Sequence, residues 1–101
     1  MDCSGFVHRV VVDSGAAERS EVPRRSRDWI GFGDSVKGEI LPGDILLFGR
    51  DGQVDHVAIA LSRDRFIHAA SQGPRIGVVI SSLSEEYWKL SFAGARRIGR
   101  E

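Results

Sequence analysis

Hydrophobic positions at the start of the chain recur with a helical period. Cys3, Phe6, Val7, Val10 and Val11 follow the i, i+3, i+4 spacing of one face, while His8, Arg9 and Asp13 lie off it. A helix is therefore predicted from Cys3 to about Asp13, with Ser14-Gly15 as its stop. The β-branched run Val10-Val11-Val12 works against it. Residues 16–38 are polar and punctuated by Pro23, Gly31, Gly33 and Gly38, a long excursion with one short helix at 26–30 whose Trp29 and Ile30 pack down. From Leu41 the pattern changes to short apolar runs. Leu41-Pro42-Gly43-Asp44 reads as a turn and Ile45-Leu46-Leu47-Phe48 as a buried strand. Arg50-Asp51-Gly52-Gln53 carries Asp-Gly hairpin chemistry into a second strand at 54–61. Ser62-Arg63-Asp64 connects to a third strand at 65–70, and Gly73-Pro74 turns the chain into a fourth at 77–81. A short helix at 83–87 precedes a last strand at 92–98.

One helix followed by hairpin-linked strands is an α+β layout: a cysteine-bearing helix on an antiparallel sheet of about five strands. The 101 residues suffice for a single core, so one domain spanning 1–101 is expected. With 42% hydrophobic and 28% charged residues the composition is that of a globular protein, and no apolar run is long enough to span a bilayer. The 14 basic and 14 acidic residues cancel, which argues against broad nucleic-acid binding. The local clusters Arg24, Arg25, Arg27 and Arg96, Arg97, Arg100 read as solvated faces. No signal peptide opens the chain, and the compartment is not legible from it. A monomer is expected.

Cys3 is the only cysteine and stands at the predicted helix N-terminus, where unsatisfied N–H groups and the helix dipole favour thiolate over thiol. Three histidines could serve it. His8 is five residues on, about 140° round the helix, and is expected at the surface. His56 lies mid-strand on a face with Val54, Ala58 and Ala60, whose small side chains leave room for the end of the cysteine helix. His68 shares that face only if the hairpin is bulged or its connection is three residues long. Opposed residue numbers then sum to 126, Ala58 faces His68, and His56 lies on the diagonal about 7–8 Å away. Thiol, imidazole and a second polar ring suit acyl transfer through a thioester, with Cys3, His56 and His68 in those roles. The same residues could hold zinc with an open position, although no closely spaced ligand pair is present.

The motifs Asp2-Cys3-Ser4-Gly5-Phe6-Val7, Leu41-Pro42-Gly43-Asp44-Ile45-Leu46-Leu47-Phe48, Asp55-His56-Val57-Ala58-Ile59 and Phe66-Ile67-His68-Ala69-Ala70 resemble, in order and spacing, the NlpC family of bacterial cell-wall cysteine peptidases (NlpC and its P-sixty relatives). The tail from Tyr87-Trp88-Lys89 to Phe92-Ala93-Gly94-Ala95-Arg96-Arg97-Ile98 is also similar. The resemblance implies a reduced papain-like fold and hydrolysis of peptidoglycan stem peptides at the D-γ-glutamyl to diamino acid bond. It implies Cys3 as nucleophile, His56 as base and His68 as the residue orienting it, with no cofactor or metal. Asp2 and Ser4 match residues that flank the family nucleophile and help bind the substrate amine, and Asp55, beside the base, is a further candidate for substrate binding. Pro23-Arg24-Arg25-Ser26 resembles the family's Pro-Arg-Thr-Ser run near the groove, so Arg24 and Ser26 are candidates for substrate contact; Arg25 departs from it. Family members carry some tens of residues before the cysteine, a site tyrosine among them; here only Met1 and Asp2 precede it, and the chain is expected to begin part-way into a larger domain. The resemblance also points to the cell envelope or the exterior. Two other functions fit the same residues: a thiol amidase or acyltransferase, and a silent wall-binding or phage-tail module.

Overall fold

The computed structural model describes residues 2–71 and 76–98. The first helix, α1, spans Cys3–Asp13. Asp2 caps it by accepting the Gly5 N–H at 2.7 Å, worth about 1 kcal/mol to a helix. A 3-10 helix at Ser26–Gly31 follows, then six strands and a second helix: β1 Asp34–Ser35, β2 Ile45–Arg50, β3 Gln53–Ala60, β4 Arg65–Ala70, β5 Gly77–Ser82, α2 Glu86–Ser91 and β6 Phe92–Arg97. The strands form one antiparallel sheet in the order β1-β6-β2-β3-β4-β5. Among the described residues no helix is long and apolar enough to cross a membrane. The Gly73-Pro74 turn lies outside them.

The sheet carries a separate apolar layer on each face. One packs Val7 and Val11 of α1 with Trp29, Ile45, Leu47, Val57 and Ile59. The other packs Leu46, Phe48, Ala58, Ala60, Phe66 and Ala95 under Trp88 of α2. Burial on both faces explains why β2 reads as an unbroken Ile-Leu-Leu-Phe run rather than an alternation. The Asp51-Gly52 turn has φ of 55° and 80°, the left-handed pair that a two-residue hairpin requires.

Between Gly49↔Val54 and Phe48↔His56 the register slips by one residue, which leaves Asp55 as an extra residue in β3. A Cβ on Gly49 would run into the Gln53 carbonyl, so glycine permits this close approach. The slip also corrects the expected face. Val54 packs in the α1 layer, not beside His56. The alanines Ala58 and Ala60 face the Trp88 layer rather than the cysteine helix.

Further corrections concern burial and pairing. The buried stripe of α1 is Ser4, Val7, His8 and Val11, rotated from the expected one, and Val10 is exposed. His8 is 8% exposed rather than at the surface, because loop 14–25 folds back over the helix. Ser4 Oγ donates to the Arg24 carbonyl at 2.7 Å, His8 Nδ1 meets the Pro23 carbonyl at 3.2 Å, and Val22 is buried beside them. Trp29 packs down as expected, whereas Ile30 is exposed. Arg97 is partly exposed but paired: its Nε and Nη2 each donate to the buried Asp44 carboxylate at 2.8 Å. Its mate Arg96 donates to the Ile30 carbonyl at 2.8 Å. Arg100 lies outside the described residues.

Candidate active site

The pairings Ile59↔Ile67 and Ala60↔Phe66 both sum to 126, the register set by a three-residue connection. Leu61 and Ser62 close the turn by donating to the Arg65 carbonyl. His56 and His68 consequently share the Trp88 face on a diagonal, where His56 Nε2 and His68 Nδ1 are 2.8 Å apart. The line continues across the next strand. His68 Nε2 meets Ser81 Oγ at 2.9 Å, and both of these residues are buried. Three polar side chains thus form a hydrogen-bonded row across β3, β4 and β5.

Cys3 approaches this row from the opposite layer, at the strand end where α1 begins. Its Sγ lies 3.4 Å from Ser26 Oγ and 4.0 Å from the Asp55 carbonyl, which the bulge presents. Cys3 and His56 line one cleft of about 510 Å³, together with Ser26, Arg50, Tyr87 and Trp88. The outer rim carries Asp2 and Asp55, both exposed, and Ser71 and Ser91 complete the wall. Burial pushes the pKa of His56 down to about 4 against a smaller upward pull from Asp55, so the ring is neutral at pH 7. A neutral ring has one bare nitrogen, able to take a proton.

Of the residues singled out in the sequence, Asp2, Cys3, Ser4, Ser26, Asp55 and His56 line this cleft, and His68 stands directly behind His56. Ser4 reaches it while its hydroxyl is engaged by the Arg24 carbonyl. The Arg24 side chain is elsewhere, in a separate surface depression with Glu18, Arg19 and Val22. Sequence reasoning missed Ser81, Tyr87 and Trp88. Helix α2 starts three residues later than expected and so includes Trp88. The adjacent aromatics Tyr87 and Trp88, in a chain with 8% aromatic residues, were the available signal.

A helix-borne cysteine at the mouth of a cleft, set against a sheet-borne row of imidazoles, defines a small α+β domain of the thiol–imidazole class. The chain belongs to the NlpC/P60 family, whose model matches residues 1–97. It is 35% identical over 99 residues to the murein DD-endopeptidase MepS/murein LD-carboxypeptidase of Escherichia coli K12, covering 97% of this chain and 50% of that protein. It is 37% identical over 101 residues to a probable endopeptidase of Haemophilus influenzae, covering 97% of this chain and 59% of that one. The chain thus spans half or a little more of the length of these two relatives. Among solved structures, an NlpC/P60 family protein of Bacillus cereus superposes with a TM-score of 0.81 at 32% identity, covering 97% of this chain and 32% of that one.

Proposed function

We propose that this domain is a cysteine peptidase that hydrolyses peptidoglycan stem peptides through a thioester on Cys3. The observation that carries the reading is the row His56–His68–Ser81 ending in the cleft that Cys3 lines. The base needs one of the two proton arrangements this row allows. With Ser81 Oγ accepting from His68 Nε2–H, His68 Nδ1 is bare and accepts from His56 Nε2–H. His56 Nδ1 is then the bare nitrogen, free to take the thiol proton of Cys3.

Attack of Cys3 Sγ on the carbonyl carbon forms the C–S bond, and the carbonyl oxygen takes up the negative charge. The N–H groups of Cys3 and Ser4 have no intrahelical acceptor at the start of α1 and are the donors for that oxygen. Protonated His56 returns its proton to the departing amine as the C–N bond breaks. Water then attacks the thioester with His56 again taking a proton, which releases the acid and restores the thiol. His68 holds the first ring in plane, and Ser81 fixes the tautomer of the second.

The cleft suits a substrate with charges at both ends. Asp2 and Asp55 offer carboxylates for a free amine, and Arg50 offers a guanidinium for a carboxylate. That fits a stem peptide cut between D-γ-glutamate and the diamino acid. The E. coli relative's name instead specifies a DD-endopeptidase and an LD-carboxypeptidase. Incubation with uncross-linked and cross-linked muropeptides, read by mass spectrometry, decides the bond. A fragment ending in D-glutamate is expected. Cleavage confined to the cross-link would move the bond while keeping the peptidase, release of ammonia alone would make it an amidase, and no turnover in any arm would refute the reading.

A further inference from the structure

Trp88 does more than fill the second core. Its indole is 3% exposed and lies flat against the His56 ring, with centroids 5.1 Å apart and planes at 26°. It also stands edge-on to His68 at 4.8 Å and 85°, so one side chain touches both imidazoles of the row. Phe48 and Phe66 pack edge-on to the indole at 5.1 and 5.7 Å and hold it in place. Its Nε1–H is buried without a partner. An unpaired buried donor is a cost that a phenylalanine in the same slot would not carry. The indole therefore adds nothing by hydrogen bonding, and what distinguishes it here is its broad π-face.

We propose that Trp88 is a positioning residue for His56, clamping the imidazole face-on so that its only free ring nitrogen stays in the plane leading to Cys3. Two consequences follow from the same contact. The indole keeps water off one face of the ring, which contributes to the burial that holds His56 neutral at rest. When the ring takes the thiol proton, the new imidazolium lies over an aromatic face, the arrangement that attracts a cation. The carboxylate of Asp55 is the facing charged group and acts on the resting ring in the opposite sense to burial.

The catalytic arm of the proposal rests on the peptidase reading, and a second arm does not. In Trp88→Leu, kcat should fall by about tenfold or more with KM changed less than about twofold, since the loss is of orientation and not of substrate contact. The acid limb of kcat/KM should move up toward the ordinary imidazole value of about 6.5. Trp88→Phe keeps a ring face and should recover most of kcat. A rise in KM at constant kcat would make Trp88 a substrate platform instead and overturn the proposal, as would a lowered Tm with an unshifted pH profile. The second arm uses the unaltered chain and needs no turnover. Long-range proton–nitrogen NMR should show His56 ring protons displaced upfield by the indole and titrating well below the ordinary imidazole value of about 6.5. Random-coil shifts for those protons would sink the clamp even if muropeptides are cleaved. Upfield shifts without cleavage would leave the clamp standing and count against the peptidase.

Discussion

The burial that would keep His56 neutral as the proposed base also ties it to acid stability. Burial lowers its pKa from 6.5 to about 4 in the folded protein, while the unfolded chain keeps the ordinary value. Both states bind no proton well above 6.5, so the folded state has its full stability there. As pH falls through 6.5 the unfolded state takes a proton that the folded state refuses until about 4, and stability is lost across that window. Between pH 7.5 and 4.5 the unfolded imidazole gains nearly one proton and the folded one about a quarter, which integrates to about 2.5 kcal/mol. His56→Gln removes the titration and retains an amide that can meet His68 Nδ1. Urea unfolding of both proteins at the two pH values isolates the term, because every other titrating group is common to them. The unaltered protein should lose about 2.5 kcal/mol more than the variant, a midpoint difference of roughly 2 M for a domain of this size. Equal losses in the two proteins would show that His56 titrates normally, and the neutral-base mechanism would fall with it.

Other perturbations separate the members of the site from their supports. Cys3→Ser should abolish turnover on a defined muropeptide and His56→Ala should nearly do so, whereas His68→Gln and Ser81→Ala should be milder, with losses on the order of 10–100-fold; a reversed order would break the assignment of roles. His8→Ala should leave kcat unchanged and lower stability by about 1–2 kcal/mol in thermal unfolding, since the ring is buried against loop 14–25 and outside the cleft. Asp44→Asn should cost about 2–3 kcal/mol, less than a fully buried pair because Arg97 is 42% exposed and can be resolvated. Burial of Asp44 raises its pKa, but the hydrogen bonds and charge of Arg97 and the Leu41 N–H outweigh it and leave the value lowered. Its stabilisation is therefore complete above 3.8 and lost as pH falls through the folded value, so the wild-type and Asn proteins should converge in stability in strong acid.

What the sequence made legible is what local chemistry decides. Asp51-Gly52 specifies a hairpin by its backbone preference, and parity states the condition, a three-residue connection at Ser62-Arg63-Asp64, under which His56 and His68 share a face. The illegible parts depend on distant pieces of chain. Strand β1 is two polar residues, Asp34 and Ser35, which pair only because Arg96 and Arg97 of β6 are there to receive them. His8 looks like a surface residue on a helical wheel until the loop carrying Val22 and Pro23 closes over it. Ser81 shares the face of His68 through the β4–β5 register, which the hydrophobic pattern did not define. Trp88 was hidden by a helix boundary, the least certain feature of any such reading.

The bulge at Asp55 explains how residues from opposite layers come to share one cleft. Without it, strict alternation would carry Val54 onto the His56 face. The slip instead lets Val54 join the α1 layer, while His56 stays under Trp88. The extra residue between them turns its carbonyl toward Cys3 Sγ and leaves its carboxylate at the cleft rim. Cys3 is thereby anchored in the α1 layer and His56 under Trp88 in the α2 layer. Gly49, where the partner strand permits the slip, and Asp55, where the slip is absorbed, are thus as much part of the site's construction as the groups proposed to move protons.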